Sequence, residues 1–151
     1  MATHLNAGDK APAFSGKDQD GNEVSLSDYK GNKVVLYFYP ADDTPACTTQ
    51  SCNLRDNYQL LQKQGYRIIG VSPDDVESHK KFSLKFNLPF PLIADPQQKI
   101  SKKYGVWGEK NLYGRKFMGL HRTSFIMNEK GIIEKIFLRP KTKIHTEEIL
   151  K

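Results

Sequence analysis

The segment Lys33 to Tyr39, KVVLYFY, is a nearly unbroken run of β-branched, leucine and aromatic residues. A strand with one wet face alternates apolar and polar side chains, whereas a run apolar at successive positions fits a strand covered on both faces, as in a parallel sheet. Such a strand sits near the middle of a sheet and demands helices above and below it. At 151 residues the chain suffices for one globular unit, able to bury roughly two thirds of its unfolded surface. We therefore expect a single domain spanning residues 1–151.

The flanking pattern supplies the helices. From Thr44 to Gln64 the apolar positions Leu54, Tyr58 and Leu61 recur at spacings of four and three, and Gly65 stands where a helix would end. Tyr66 to Ser72 (YRIIGVS) predicts a second strand, Asp74 or Asp75 a cap, and Val76 to Phe86 a second helix with Phe82 and Phe86 on one face. Phe90 to Ala94 predicts a third strand, edge-like because of Pro91, and Pro96 to Tyr104 a short helix. Periodicity then fails from Gly105 to Gly119, which predicts a loop. His121 to Met127 and Ile132 to Leu138 follow as strands joined by the hairpin signal Asn128-Glu129-Lys130-Gly131, and a last helix is expected near Thr146. The pattern is β-α-β-α closed by an antiparallel pair.

Both cysteines of the chain, Cys47 and Cys52, lie directly behind the central strand, in YPADDTPACTTQSC. Two cysteines are too few for a disulfide scaffold, and an intracellular pair is more often catalytic or metal-binding. Cys47 falls in the first turn of the predicted helix. The thiolate is the nucleophilic form, and a free cysteine at ~8.5 is mostly protonated at neutral pH, so a reactive one needs a cationic setting. A helix N-terminus supplies partial positive charge and unpaired N–H groups, the Thr44 hydroxyl can donate to sulfur or substrate, and Pro40 and Pro45 stiffen the approach. A cysteine at the start of the helix after a central strand fits an α/β thioredoxin-like fold, a mixed sheet flanked by helices.

Spacing separates this pair from a simple redox dithiol. On an intact α-helix, residues five apart are ~8.7 Å apart at Cα, from a rise of ~7.5 Å and a rotation of about 140°. A disulfide requires less than ~7 Å. Cys47 and Cys52 can join only if that turn unwinds. The C-T-T-Q-S-C spacing is also wider than the C-x-x-C of protein thiol-disulfide oxidoreductases.

The chain resembles the peroxiredoxins of the Q type, the bacterioferritin comigratory protein group. Their signature of Pro, three residues, Thr or Ser, two residues and Cys is met by Pro40, Thr44 and Cys47, and their second cysteine, five positions on, by Cys52. The likeness extends through GDKAPAF, VVLYFYP, GVSPD, YGVWGEK and HRTSFIMNEKG. It implies a thiol peroxidase in which Cys47 attacks a hydroperoxide, Cys52 resolves the sulfenic acid as an intramolecular disulfide, and thioredoxin or a similar dithiol recycles it. It also implies that Arg122 reaches over Cys47, that the protein acts as a monomer, and that no metal or organic cofactor takes part. Ala46 stands where many relatives carry Gly, and alanine fits if its φ is negative.

Other readings are weaker on the residues. His4, His79, His121 and His145 are dispersed and, with two cysteines, lack a four-ligand zinc spacing. Beside Arg122, His121 is expected to be a satisfied strand histidine rather than a base, while Trp107 and Tyr113 either line an access route or seal the core. Lys and Arg total 23 against 17 acidic residues, but the cations are scattered among acids and accompany no nucleic-acid motif. The N-terminal MATHLNAGDKAPAF has no basic-then-apolar leader, and no stretch has ~18 consecutive apolar residues, so a cytoplasmic enzyme without membrane contact is expected.

Overall fold

The structure of the protein, a computed structural model, describes residues 3–151. Met1 and Ala2, where the expected domain and leaderless terminus begin, lie outside it. In chain order the elements open with β1 (Ser15–Lys17), β2 (Glu23–Ser25), a 3-10 turn at Leu26–Tyr29 and β3 (Lys33–Phe38). Then come α1 (Pro45–Asp56), α2 (Tyr58–Lys63), β4 (Tyr66–Ser72), α3 (Val76–Phe86), β5 (Leu92–Ala94) and α4 (Lys99–Lys103). The chain ends with β6 (Trp107–Leu112), β7 (Arg115–Leu120), β8 (Thr123–Met127), β9 (Ile133–Phe137) and α5 (His145–Leu150).

Five strands form one mixed sheet in the order β5-β4-β3-β8-β9. β4 runs parallel to β3 and to β5, and β8 runs antiparallel to β3 and β9. The apolar run thus occupies the centre. Alternate residues of β3 feed two cores: Val34, Leu36 and Phe38 pack with Ile69, Val71, Phe125 and Tyr104, while Val35, Tyr37 and Tyr39 pack with Cys47, Leu54, Leu61, Phe82 and Ile149. Helices α1, α2, α3 and α5 therefore cover one face. Strand β5 takes the expected edge, and Pro91 just before it accepts the Gly70 N–H at 3.0 Å.

Four expectations are corrected. The single helix from Thr44 to Gln64 is two, broken at Asn57 (φ −108°, ψ 16°), where the Asn57 amide donates to the Asn53 carbonyl at 2.8 Å and competes with the helical ladder. The loop from Gly105 to Gly119 is mostly the β6–β7 hairpin, turned by Tyr113 (φ 53°) and Gly114 (φ 79°). Both central residues at positive φ make a type I′ turn, which usually announces itself with Asn or Asp before Gly, and tyrosine hides it. Thr146 does not cap the last helix, because its N–H and hydroxyl both go to Asn53 Oδ1, at 2.9 and 2.8 Å. Finally, α4 is shorter than expected, since the Asp95 carboxylate accepts the Ile100 and Ser101 N–H groups and starts the helix late.

Candidate active site

Cys47 is the third residue of α1, after Pro45, whose missing N–H costs the first turn nothing. Thr44 occupies the cap position in extended conformation but makes no side-chain cap bond. The amides of Ala46 and Cys47, first-turn donors beyond the reach of any intrahelical carbonyl, point out of the helix start. Ala46 is helical and absent from the positive-φ residues, so the alanine is unstrained. The Cys47 side chain is directed into the helix-side core, and the residue is 1% exposed.

Arg122 arrives from across the sheet. It lies on the residue before β8 rather than within a strand, half-buried. Its Nη2 donates to Cys47 Sγ at 3.1 Å and its Nη1 to Gln50 Oε1 at 2.6 Å. The planar fork thus bridges two residues one helical turn apart, a geometry that lysine cannot reproduce. Gln50 was not singled out in the sequence, although its position three after Cys47 places it on the same helix face. Its Nε2 is, among the described residues, a buried polar side-chain atom with no protein partner. Lys110 of β6 donates to the Leu120 carbonyl at 2.8 Å, and burial, then the Arg122 charge, hold its ammonium below the ordinary lysine range. The surroundings of the sulfur are electropositive.

Thr44 behaves otherwise than expected. Its hydroxyl donates to the Ala41 carbonyl at 2.9 Å, not to sulfur. Having one proton, the hydroxyl turns lone pairs toward any approaching group. Pro40 is half-buried at the exit of β3. The loop between them is held by Asp42, whose carboxylate accepts from Tyr39 Oη at 2.7 Å and Ser78 Oγ at 2.8 Å and pairs with His79 Nδ1 at 2.7 Å. Asp74 Oδ2 accepts the Asp42 N–H at 2.8 Å and Ser72 Oγ at 2.7 Å. Asp42, Asp74 and His79 bring potential ligand atoms within 4.8 Å of one another, but those atoms are already engaged in hydrogen bonds within the protein. The cluster reads as a clasp on the loop.

Cys52 lies in the same helix as Cys47, and both thiols are free. Burial pushes the Cys52 thiol up; nearby Arg55 opposes this and Asp56 adds to it. A second constellation has the connectivity of a nucleophile triad, with Ser124 Oγ 2.9 Å from His145 Nε2 and Glu148 Oε1 3.0 Å from His145 Nδ1. Ser124 and His145 are fully buried, so it anchors α5 and offers no nucleophile. His121 is satisfied as expected, Nε2 meeting the Glu109 carbonyl at 3.0 Å. Trp107 packs against the core, whereas Tyr113 is fully exposed at its turn and does neither job considered for it. No helix among the described residues is long and apolar enough to cross a membrane.

Known proteins share this plan. Residues 7–136 match the AhpC/TSA family. Peroxiredoxin Bcp of Escherichia coli K12 is 44% identical over 146 residues, covering 97% of this chain and 94% of that protein. The crystal structure of a Xylella fastidiosa PrxQ C47S mutant superposes with a TM-score of 0.92 at 29% identity, covering 99% of this chain and 95% of that one. A Xanthomonas campestris bacterioferritin comigratory protein, solved in work on its alkyl peroxide reduction activity, gives a TM-score of 0.85 at 31% identity, covering 91% of this chain and 87% of that one. The chain thus belongs to the AhpC/TSA family, among its Bcp, or Q-type, peroxiredoxins, and is a thiol peroxidase.

Proposed function

We propose that Cys47 is the peroxidatic nucleophile and Cys52 the resolving thiol of a hydroperoxidase recycled by thioredoxin or a similar dithiol. The observation that carries this is the Arg122 N–H on Cys47 Sγ at 3.1 Å, at the start of the helix that also holds Cys52. The Cys47 thiolate attacks the outer oxygen of a hydroperoxide, the O–O bond breaks, and the leaving oxygen takes a proton to become water or an alcohol. Cys47 is left as a sulfenic acid. Arg122 and the first-turn amides of Ala46 and Cys47 supply donors to the oxygens as charge develops. The Thr44 hydroxyl oxygen accepts a hydrogen bond from the hydroperoxide O–H, and Pro40 shapes the wall.

Resolution follows from the helix. Held about 8.7 Å apart at Cα by regular helical geometry, the two cysteines join after α1 unwinds. The Cys52 thiolate then attacks the sulfenic sulfur, an S–S bond forms, and the hydroxyl leaves as water with the proton Cys52 gave up. A dithiol reduces the disulfide by exchange, becoming oxidised itself. We read the chain as one domain, in keeping with a family match over 7–136, acting as a cytoplasmic monomer.

The test is turnover with a thioredoxin system and hydrogen peroxide or an organic hydroperoxide. Wild type should cycle, Cys47→Ser should be inactive, and Cys52→Ser should complete one fast oxidation and then stall with the sulfenic acid trapped. Sustained thioredoxin-dependent cycling by Cys52→Ser would refute the resolving role.

A further inference from the structure

Helix α1 is held differently along its length. Its first two turns face the reacting centre, with Cys47 and Gln50 under the Arg122 fork and Ser51 Oγ 2.9 Å from Tyr37 Oη. Its last turn is fastened to other elements. Asn53 Nδ2 donates to the Lys143 carbonyl at 2.9 Å, and Asn53 Oδ1 accepts the Thr146 N–H at 2.9 Å and hydroxyl at 2.8 Å. The Asn53 carbonyl takes the Asn57 amide at 2.8 Å, Leu54 is fully buried, and Arg55 Nη1 donates to the Phe86 carbonyl at 2.8 Å. Upstream, the Asp42 carboxylate and N–H are bonded to Tyr39, Ser78, His79 and Asp74.

Resting on the assignment of Cys52 as resolver, we propose that Asn53 is a positioning residue for disulfide closure. It pins the end of α1 to the segment 143–146 while the stretch between Asp42 and Asn53 unwinds, so that the oxidised Cys47 travels to a stationary Cys52. Cys52 is one Cα step, ~3.8 Å, from the pinned residue and has little freedom to wander. Cys47, by contrast, is five residues from Asp42 and six from Asn53, and five unwound residues reach up to about 17 Å. A moving electrophile and a fixed nucleophile keep the search one-sided. Without the pin, only the burial of Leu54 and the Arg55 bond to the Phe86 carbonyl oppose unwinding as far as Asn57, where the helix is already broken.

Hydrogen exchange read by mass spectrometry, on protein oxidised with one equivalent of hydrogen peroxide, tests this. Relative to the reduced protein, amides 48–56, whose helical acceptors are residues 44–52, should lose protection, while Asn57, whose N–H goes to the pinned Asn53 carbonyl, and 145–150 keep it. In Asn53→Ala the unprotected stretch should extend to residue 57, and the ratio of closure rate to Cys47 oxidation rate should fall about tenfold. Asn53→Asp, which retains the acceptor for both Thr146 donors, should recover most of that ratio, and Thr146→Val should lower it by a smaller factor. Peptide mass shows separately whether the Cys47–Cys52 disulfide has formed. A disulfide with loss of protection at Asn57 in wild type, or an unchanged ratio in Asn53→Ala, overturns the pin alone. Absence of the disulfide overturns the resolver assignment and the pin with it.

Discussion

Replacing Arg122 by Met removes two donors while keeping much of the side-chain bulk. The bond from Nη2 to Cys47 Sγ, at 3.1 Å, joins a cation to the reacting atom, and loss of one donor at a centre of developing negative charge costs about 2.7–4 kcal/mol, or roughly 10²–10³ in rate. The sulfur is buried, so water does not fully replace the donor. The bond from Nη1 to Gln50 Oε1, at 2.6 Å, bears on stability: losing it leaves a buried acceptor unpaired beside an Nε2 that already lacks a protein partner, at about 1–3 kcal/mol. The expected result is a second-order rate constant for peroxide-driven Cys47 thiol loss about 100-fold or more below wild type, with a lower melting temperature. Arg122→Lys keeps the charge and loses the fork, so its rate should fall between. Stopped-flow mixing of the reduced variants with hydrogen peroxide measures both. A rate for Arg122→Met within about threefold of wild type would refute the reasoning, because the charge-assisted bond is worth at least ~1.5 kcal/mol.

Disulfide closure, measured after a peroxide pulse, should accelerate as pH rises from neutral, because burial raises the Cys52 pKa above its ordinary value and the thiolate is the attacking form; a pH-independent closure rate would contradict this. Burial, reinforced by the Arg122 charge and opposed by Glu148, holds the His145 imidazole below 6.5. The unfolded chain therefore takes up that proton first, the contribution is complete above about 6.5 and is lost as pH falls through the lower folded-state value. The melting-temperature gap between wild type and His145→Gln should narrow from pH 7 to pH 5, and a constant gap would contradict the linkage. Gly70→Ala would set a Cβ 2.9 Å from Leu92 Cδ2 and 3.0 Å from the Tyr37 ring, an overpacking cost of about 1–3 kcal/mol. Its melting temperature should drop by roughly 3–10 °C, and an unchanged value would mean that the sheet relaxes freely there.

The elements with strong periodicity were legible before folding. β4 and α3 lie where their patterns put them, and the doubly buried β3 announced both cores, because local residue choice and tertiary burial agree there. The misses share another cause. The three-residue strands β1 and β2 are too short to show a period, and the β6–β7 turn uses Tyr113 at positive φ where sequence reasoning looks for asparagine. Thr146 is drawn from a cap to Asn53 by a partner 93 residues away. At the site, Pro40, Thr44, Cys47 and Cys52 form a local motif and could be read off directly. Arg122 came only with the family resemblance, since nothing local distinguishes an arginine 75 residues from the cysteine it meets. Gln50 carried a weak signal in its i+3 spacing. The Asp42–His79 clasp carried none, because it joins a loop to a helix across 37 residues.

The proposed mechanism requires that one hydroperoxide join Cys47 to Cys52. Trypsin releases both cysteines in the single peptide 34–55, which has no internal lysine or arginine. Reduced protein mixed with one equivalent of hydrogen peroxide, quenched by alkylation within seconds and digested, should yield that peptide two hydrogens lighter and unalkylated, with two thiols lost per peroxide consumed. Recovery of the doubly alkylated peptide, or of Cys47 as a persistent sulfenic acid beside an alkylated Cys52, would contradict it.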